Sequence, residues 1–460
     1  MATVIERLRA SVTTKILFIG FLILVLLVPM GMIQDVIRDR QHRYESARQD
    51  VMTAWGRAQC LAGPVLIVPY RTVRIDEDGR RHEQIRRAFF LPERLAVRGN
   101  VETQMRRRGI YDVPVYTASL HLQGRFRFPD LAALDVPGSD VLWDKAKLAL
   151  FISDPRTVKE PIALRSAAGD GVFVPGDADV DGLAAQLEVA LPGLRAQRDA
   201  GGFGYELGLE LGGTSSVRLL PFGDETQVVL TSSWTTPSFT GAYLPERHEI
   251  DAEGFTARWK ILHLGRGYPS AWLGTQSPAK HFQASAFGVD LYVPVSTYQK
   301  ATRAAKYAVL FIGLTFLAYF MLEVFCGLRL HPFQYLLVGF ANCLFYLLLL
   351  SLSEHIGFAA AYAASAAGAV ALVTGYSASI LQTRARALLM LALLGVLYAF
   401  LYVTLRAEEH AMLMGSLLLF SILAVLMYVT RRIDWYRVSL GGGDGWAGLG
   451  ADARGARAGS

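Results

Sequence analysis

Between positions 332 and 352 the chain reads PFQYLLVGFANCLFYLLLLSL, without one charged side chain. That length matches the ~20 residues an α-helix needs to cross the hydrocarbon of a bilayer. In hydrocarbon every backbone N–H and C=O must find a partner inside its own segment, so a span of this kind is a helix. Similar apolar runs occupy 307–328, 356–381, 387–405 and 411–430. Together they predict a five-helix membrane block over 307–430. A sixth run, 16–33, follows a short basic stretch, 1–15, that carries Arg7, Arg9 and Lys15. It is long for the apolar core of a signal peptide and no A-x-A cleavage site follows it, so it reads as an uncleaved signal anchor.

Residues 34–306 are a different material, polar and punctuated by proline and glycine. After a predicted helix over 35–55, Tyr205, Leu207, Leu209 and Leu211 alternate with Glu206, Gly208, Glu210 and Gly212. Ala118, Leu120 and Leu122 alternate in the same way with Ser119, His121 and Gln123. A period of two over such lengths predicts half-buried strands. The stretches 63–70, 145–153 and 227–234 fit the same pattern, and a helix is expected over 179–191, stopped by Pro192 and Gly193. The predicted fold is therefore a membrane α-helical bundle of six transmembrane helices, with a large β-rich domain inserted between helices 1 and 2. That domain is long enough to form two lobes, and no internal repeat is visible.

Charge orients this arrangement. With six spans and a cytoplasmic N-terminus, Arg329, Arg384, Arg386, Arg431, Arg432 and Arg437 fall inside, and the β-rich domain falls outside. That distribution satisfies the positive-inside rule. Both termini are then expected in the cytoplasm and the β-rich domain in the periplasm of a two-membrane bacterium. The net charge of +6 is used up in this way, and no basic run is interleaved with aromatics as on a nucleic-acid-binding module. The glycine-rich tail within 431–460 is expected to be disordered.

Polar residues inside or beside the spans are the candidate functional sites. Glu323 lies near the end of its helix, where it either serves a path through the bundle or reaches the interface to meet Arg329. His331 precedes Pro332, a proline suited to a first helical turn, with Gln334 just beyond. Asn342 sits at mid-membrane, where such a group usually bonds a neighbouring helix. Glu354 and His355 are an acid/base pair or an interfacial cap; one His and one carboxylate do not complete a zinc shell. Small residues at 360, 364 and 368, and at 371, 375 and 379, predict a helix-packing face.

Other chemistries have no motif. HEQIR at 82–86 and HEIDA at 248–252 each lack the second histidine of HExxH, no lysine follows a glycine as a P-loop requires, and no G-x-S-x-G is present. Cys60, Cys326 and Cys343 form no CxxC pair. No catalytic residue, cofactor or metal is expected. Arg106, Arg107 and Arg108 before Gly109 read as a solvated turn, with lipid headgroups or anionic glycan as further targets.

Several long stretches resemble the CreD family of bacterial inner-membrane proteins. They are FGVDLYVPVSTYQKATRAAKYAVLFIGLTFLAYFMLE (287–323), LHPFQYLLVG with LFYLLLLSLSEHIGF (330–358) and TRRIDWY (430–436) in the helical part. GPVLIVPY (63–70), SFTGAYLPERHEI (238–250) and GFTARWKILHLGRGYP (254–269) are the corresponding stretches of the β-rich part. Ser296 stands where the family is expected to carry Asp. The resemblance implies an inner-membrane protein of the envelope stress response, linked to envelope integrity and to tolerance of β-lactams or colicin-type toxins. It implies no catalytic activity. The first functional expectation is thus a non-enzymatic protein whose periplasmic domain binds an envelope component or partner, with the lipid bilayer as its other partner. The alternatives are a transporter or lipid-handling protein using Glu323, Gln334 and Asn342, and a membrane enzyme using Glu354 and His355.

Overall fold

The computed structural model describes residues 12–75, 81–176, 186–274, 278–291, 297–326, 328, 330–380, 383–407 and 411–431. Ser296, Arg329 and the C-terminal tail lie outside the described residues. The chain divides into two compact units. Met1–Arg43 with Val295–Ser460 form one, and Tyr44–Pro294 the other.

The first unit is helical. Its helices are α1 (Val12–Trp55, which continues into the second unit), α3 (Thr297–Lys306), α4 (Ala308–Cys326), α5 (Pro332–Ile356), α6 (Phe358–Ile380), α7 (Arg384–Arg406) and α8 (Ala411–Thr430). A short α2 (Ala279–Ala284) belongs to the second unit. Among the described residues six helices, all but α2 and α3, are long and apolar enough to cross a membrane. The predicted anchor and the predicted helix over 35–55 are one continuous α1. Leu22, Leu26, Met30 and Ile33 of α1 are buried. A Cβ at Gly339 of α5 would lie 2.2 Å from Leu26 Cδ1 and 3.0 Å from Phe316 Cζ, so this glycine lets α1 and α4 close on α5. Gly357, at φ +76°, turns the chain from α5 into α6. On α3, Tyr298, Ala301, Ala304 and Ala305 form the buried face.

One expectation fails here. The small residues 360, 364, 368, 371, 375 and 379 of α6 are exposed, and a Cβ at Gly368 or Gly375 meets nothing within 4 Å. The buried stripe is Ala361, Ser365, Ala369, Val373 and Ser377 instead. α6 is rich in small residues all round, so spacing could not choose the face. Hydrogen bonding does: the Ser377 hydroxyl bonds Tyr319 of α4.

The second unit is built on two sheets. In chain order the strands are β1 (Gln59–Ile75), β2 (Arg81–Phe90), β3 (Arg94–Arg108), β4 (Tyr111–Arg127), β5 (Lys147–Ile152) and β6 (Ala163–Ser166). Then come β7 (Gly171–Val172), β8 (Val174–Pro175), β9 (Gln186–Ala190), β10 (Gly202–Thr214), β11 (Ser216–Leu219) and β12 (Glu225–Ser232). The last are β13 (Pro237–Gly241), β14 (Arg247–Ile250), β15 (Phe255–Leu262), β16 (Ala271–Leu273) and β17 (Phe287–Leu291). Among the described residues, one sheet has the order β13-β17-β11-β1-β5-β9-β8, with β2 added beside β1 and β16 beside β2, and the other β14-β15-β12-β3-β4-β10-β6-β7. Most pairs are antiparallel; β1 with β11 and β3 with β12 are parallel. One continuous core draws on both sheets. The predicted alternation is seen on β10, where Tyr205, Leu207, Leu209 and Leu211 are buried while Glu206 and Gly208 are exposed.

The helix expected over 179–191 is corrected where it can be seen. Gln186–Ala190 is strand β9, laid antiparallel against β5, with Glu188 bonded to Lys147 across the pair. Residues 177–185 lie outside the described residues. Pairing between β5 and β8 outweighs the local helical pattern.

Both exits of the chain from this unit converge. Ser215, at φ +67°, accepts from Arg48 of α1 on its hydroxyl (3.0 Å) and from the Leu291 N–H on its carbonyl (2.7 Å). The end of α1 is further fixed by Trp55, whose indole N–H donates to Tyr116 O at 3.0 Å beneath the Arg106 guanidinium.

Candidate functional site

The strongest candidate from the sequence, Glu323, is 1% exposed on α4 and fully partnered. Its Oε1 accepts from Lys15 Nζ at 2.9 Å and from the Leu330 N–H at 3.1 Å. Its Oε2 accepts from the Tyr335 hydroxyl at 2.9 Å. The Lys15 ammonium lies 5.4 Å from the Tyr335 ring centroid. Three parts of the chain therefore close on one carboxylate: α1 through Lys15, α4 through Glu323, and the start of α5 through Leu330 and Tyr335. Of the two alternatives the sequence leaves open, burial in the bundle with a cation from α1 is what the described residues show, and Arg329 lies outside them. In the sequence Lys15 reads only as part of the basic stretch before the anchor. The one available signal was that a buried carboxylate demands a cation, and Lys15 is at the same end of a span as Glu323.

His331 and Gln334 form the cap of α5. The Phe333 N–H donates to His331 Nδ1 at 3.2 Å, and the His331 N–H donates to Gln334 Oε1 at 2.9 Å, with Pro332 between them. This reciprocal arrangement satisfies amide donors that a helix start leaves open. It continues directly from Leu330, so cap and carboxylate are neighbours at one end of α5.

Asn342 sits elsewhere. Its Oδ1 accepts from the Tyr398 hydroxyl of α7 at 3.0 Å, and the Tyr362 hydroxyl of α6 donates to Tyr398 O at 2.7 Å. Its Nδ2 is buried with no partner among the described residues. At the far end of α5, Glu354 accepts from the Tyr298 hydroxyl at 3.1 Å and lies 3.8 Å from Arg40 Nε, while His355 is exposed. The six candidates thus fall into three separate groups along α5 and do not converge. Each group ties neighbouring helices by hydrogen bonds of the kind worth ~0.6–2 kcal/mol in a bilayer. No group of three or more His, Cys, Asp or Glu side chains among the described residues is placed to hold a metal.

The β unit carries an exposed polar cavity. A shallow cavity of about 330 Å³ opens on the β4–β10 face, lined by Ser119, His121, Glu160, Pro161, Gly208 and Glu210. His121 Nε2 faces Glu206 at 3.3 Å and Lys159 Nζ faces Glu210 at 3.2 Å on either side of it. Gly208 keeps the floor open, since nothing stands within 4 Å of a Cβ there. The cavity offers both charges and a hydroxyl, the means of binding a polar group. Sequence alternation places these side chains on the outward face of the sheet and does not mark them as a site.

Rigid polar structure lies elsewhere in the unit. Arg266 is buried and spans the carbonyls of Phe222 and Gly223 (3.2 and 2.7 Å) and the Asp224 carboxylate (3.3 Å). Burial lowers its pKa, with Tyr268 and Asp224 opposing. Asp154 accepts from Arg156 Nε and Nη2 at 2.8 and 2.7 Å, which holds its carboxyl below the usual range. Burial pushes the Cys60 thiol up to about 11 against the pull of Arg218, which makes it a poor thiolate at neutral pH.

Comparison with known sequences now adds to this geometry. Residues 11–436 match the protein family described as inner membrane protein CreD. Over 442 residues the chain is 34% identical to the inner membrane protein CreD of Escherichia coli (strain K12), covering 91% of this chain and 92% of that protein.

Proposed function

The chain belongs to the CreD family of inner-membrane proteins, and on that premise we propose a non-enzymatic role in the envelope stress response. In this reading it supports cell-envelope integrity and tolerance of β-lactams or colicin-type toxins. The helical unit anchors it. The β unit, on the periplasmic side with both termini cytoplasmic, binds an envelope component or protein partner.

The observation that carries this proposal is how the bundle uses its polar groups. Glu323, Asn342 and Glu354 bond other helices in three separate places, as ties do, and not along one polar path. A transporter needs polar groups that release and rebind a substrate. The β unit, by contrast, presents a charged cavity over Gly208.

The test is photo-crosslinking in cells, with a photoreactive amino acid at His121 or Glu160 and a control at Leu344 on the exposed side of α5. The proposal expects one discrete adduct, enriched under envelope stress, from the β4–β10 positions and not from Leu344. Adducts only from the helical unit would overturn it in favour of a transport or lipid-handling role.

A further inference from the structure

α8 is held unlike the other spans. No residue of Leu413–Thr430 is buried, while half of the α4 span is. Between α8, α4 and α7 lies a cavity of about 530 Å³ whose only polar lining side chain among the described residues is Ser421. A second cavity of about 570 Å³ continues around α4 towards Ile16 and Ile19 of α1. Leu314, Leu317, Met321 and Leu426 line both.

The extent of the first cavity is informative. Its walls are drawn from 314–325 of α4, 389–400 of α7 and 418–429 of α8. Each stretch rises about 16 Å at 1.5 Å per residue. Half of a ~30 Å hydrocarbon core is about 15 Å, so the cavity is one leaflet deep. It runs to the end of the bundle where α7 begins and α8 ends. Arg384 and Arg386 stand in the first turn of α7, about one turn before Leu389. Arg431 follows α8, its guanidinium 4.1 Å from the Tyr428 ring centroid. A phenol under a guanidinium at a span's end is an interfacial pairing.

An apolar slot one leaflet deep with arginines at its mouth has the chemistry of a phospholipid, acyl chain below and phosphate above. Basic residues between helix ends are the usual receptors for anionic headgroups. We propose that this cavity is a binding site for an anionic phospholipid of the leaflet on the arginine-bearing side. One acyl chain fills the space between α4, α7 and α8, and the adjoining cavity around α4 takes the other. The lipid, more than direct side-chain packing, joins α8 to the bundle.

The experiment uses the full-length protein in nanodiscs that contain phosphatidylglycerol or phosphatidylethanolamine with a photoreactive group in mid-chain. Labelled residues are mapped by mass spectrometry. Labelling at Leu317, Leu393 and Ser421 should exceed that at the lipid-facing control residues Leu344 and Leu348 by severalfold, and phosphatidylglycerol should label them more than phosphatidylethanolamine. Ala318→Phe, or Ser421→Phe from the opposite wall, should suppress cavity labelling and leave Leu344 labelled. Arg384→Gln with Arg431→Gln should erase the headgroup preference. Equal labelling of cavity and control residues in the wild-type protein would overturn the proposal. So would protein–protein crosslinks between α8 and α4 of two copies in place of lipid adducts.

Discussion

At the scale of single residues, Glu323 is a buried charge of the helical unit. Its carboxylate receives an ammonium, a phenol and an amide N–H, which compensates the cost of burying a charge in the bundle. Removing one member leaves the other charged and unpartnered, at a cost of about 3–5 kcal/mol. Glu323→Gln should therefore lower the thermal stability of the purified protein clearly. The double variant Lys15→Met with Glu323→Leu should recover most of that loss, because no buried charge is left over. A double variant as unstable as the single one would show that the pair is not what joins α1 to the bundle. A second residue-scale effect depends on pH. Arg156 holds the folded-state pKa of Asp154 down. The stabilisation is therefore present above the unfolded value, near ~3.9, and is lost as pH falls through the lower folded value. Asp154→Asn should flatten the fall in β-unit stability below about pH 4. An unchanged acid limb would contradict it.

At the scale of elements, Gly339 is a point of close approach between α1, α4 and α5. A methyl there must displace Leu26, which is itself fully buried. Gly339→Ala should cost about 1–3 kcal/mol through overpacking. Gly375→Ala on α6 meets open space and should be close to neutral in the same unfolding assay. Equal effects would mean that α1 does not pack as described. This scale also shows what the sequence could convey. Each of the five spans of the block is present within a few residues of its apolar run, because the ~20-residue requirement leaves little freedom. The alternation of Tyr205, Leu207, Leu209 and Leu211 located β10 because a sheet with one buried face enforces that period. The buried face of α6 was not legible, since alanine, glycine and serine surround the whole helix. Nor was β9, whose conformation is set by its pairing to β5. The partners of Glu323 and Glu354, Lys15 and Tyr298, are hundreds and tens of residues distant in sequence, and no local pattern names them.

At the scale of the whole molecule the β unit has a core of its own. Among the described residues, the core of Tyr44–Pro294 is one cluster drawn from both sheets. A segment of about that extent, exported on its own, should fold as a soluble β-rich protein with a cooperative melt. Far-UV circular dichroism dominated by helix, or obligate aggregation, would contradict this. The central claim assigns binding to the β unit and anchoring to the bundle. The most direct measurement of it is β-lactam tolerance in cells whose only copy carries Lys15→Met with Glu323→Leu, at matched abundance in the membrane. The expected result is wild-type tolerance from this variant and lost tolerance from Gly208→Trp, which fills the β4–β10 cavity. Lost tolerance from the charge-free bundle, with Gly208→Trp behaving as wild type, would place the activity among the helices and contradict the account.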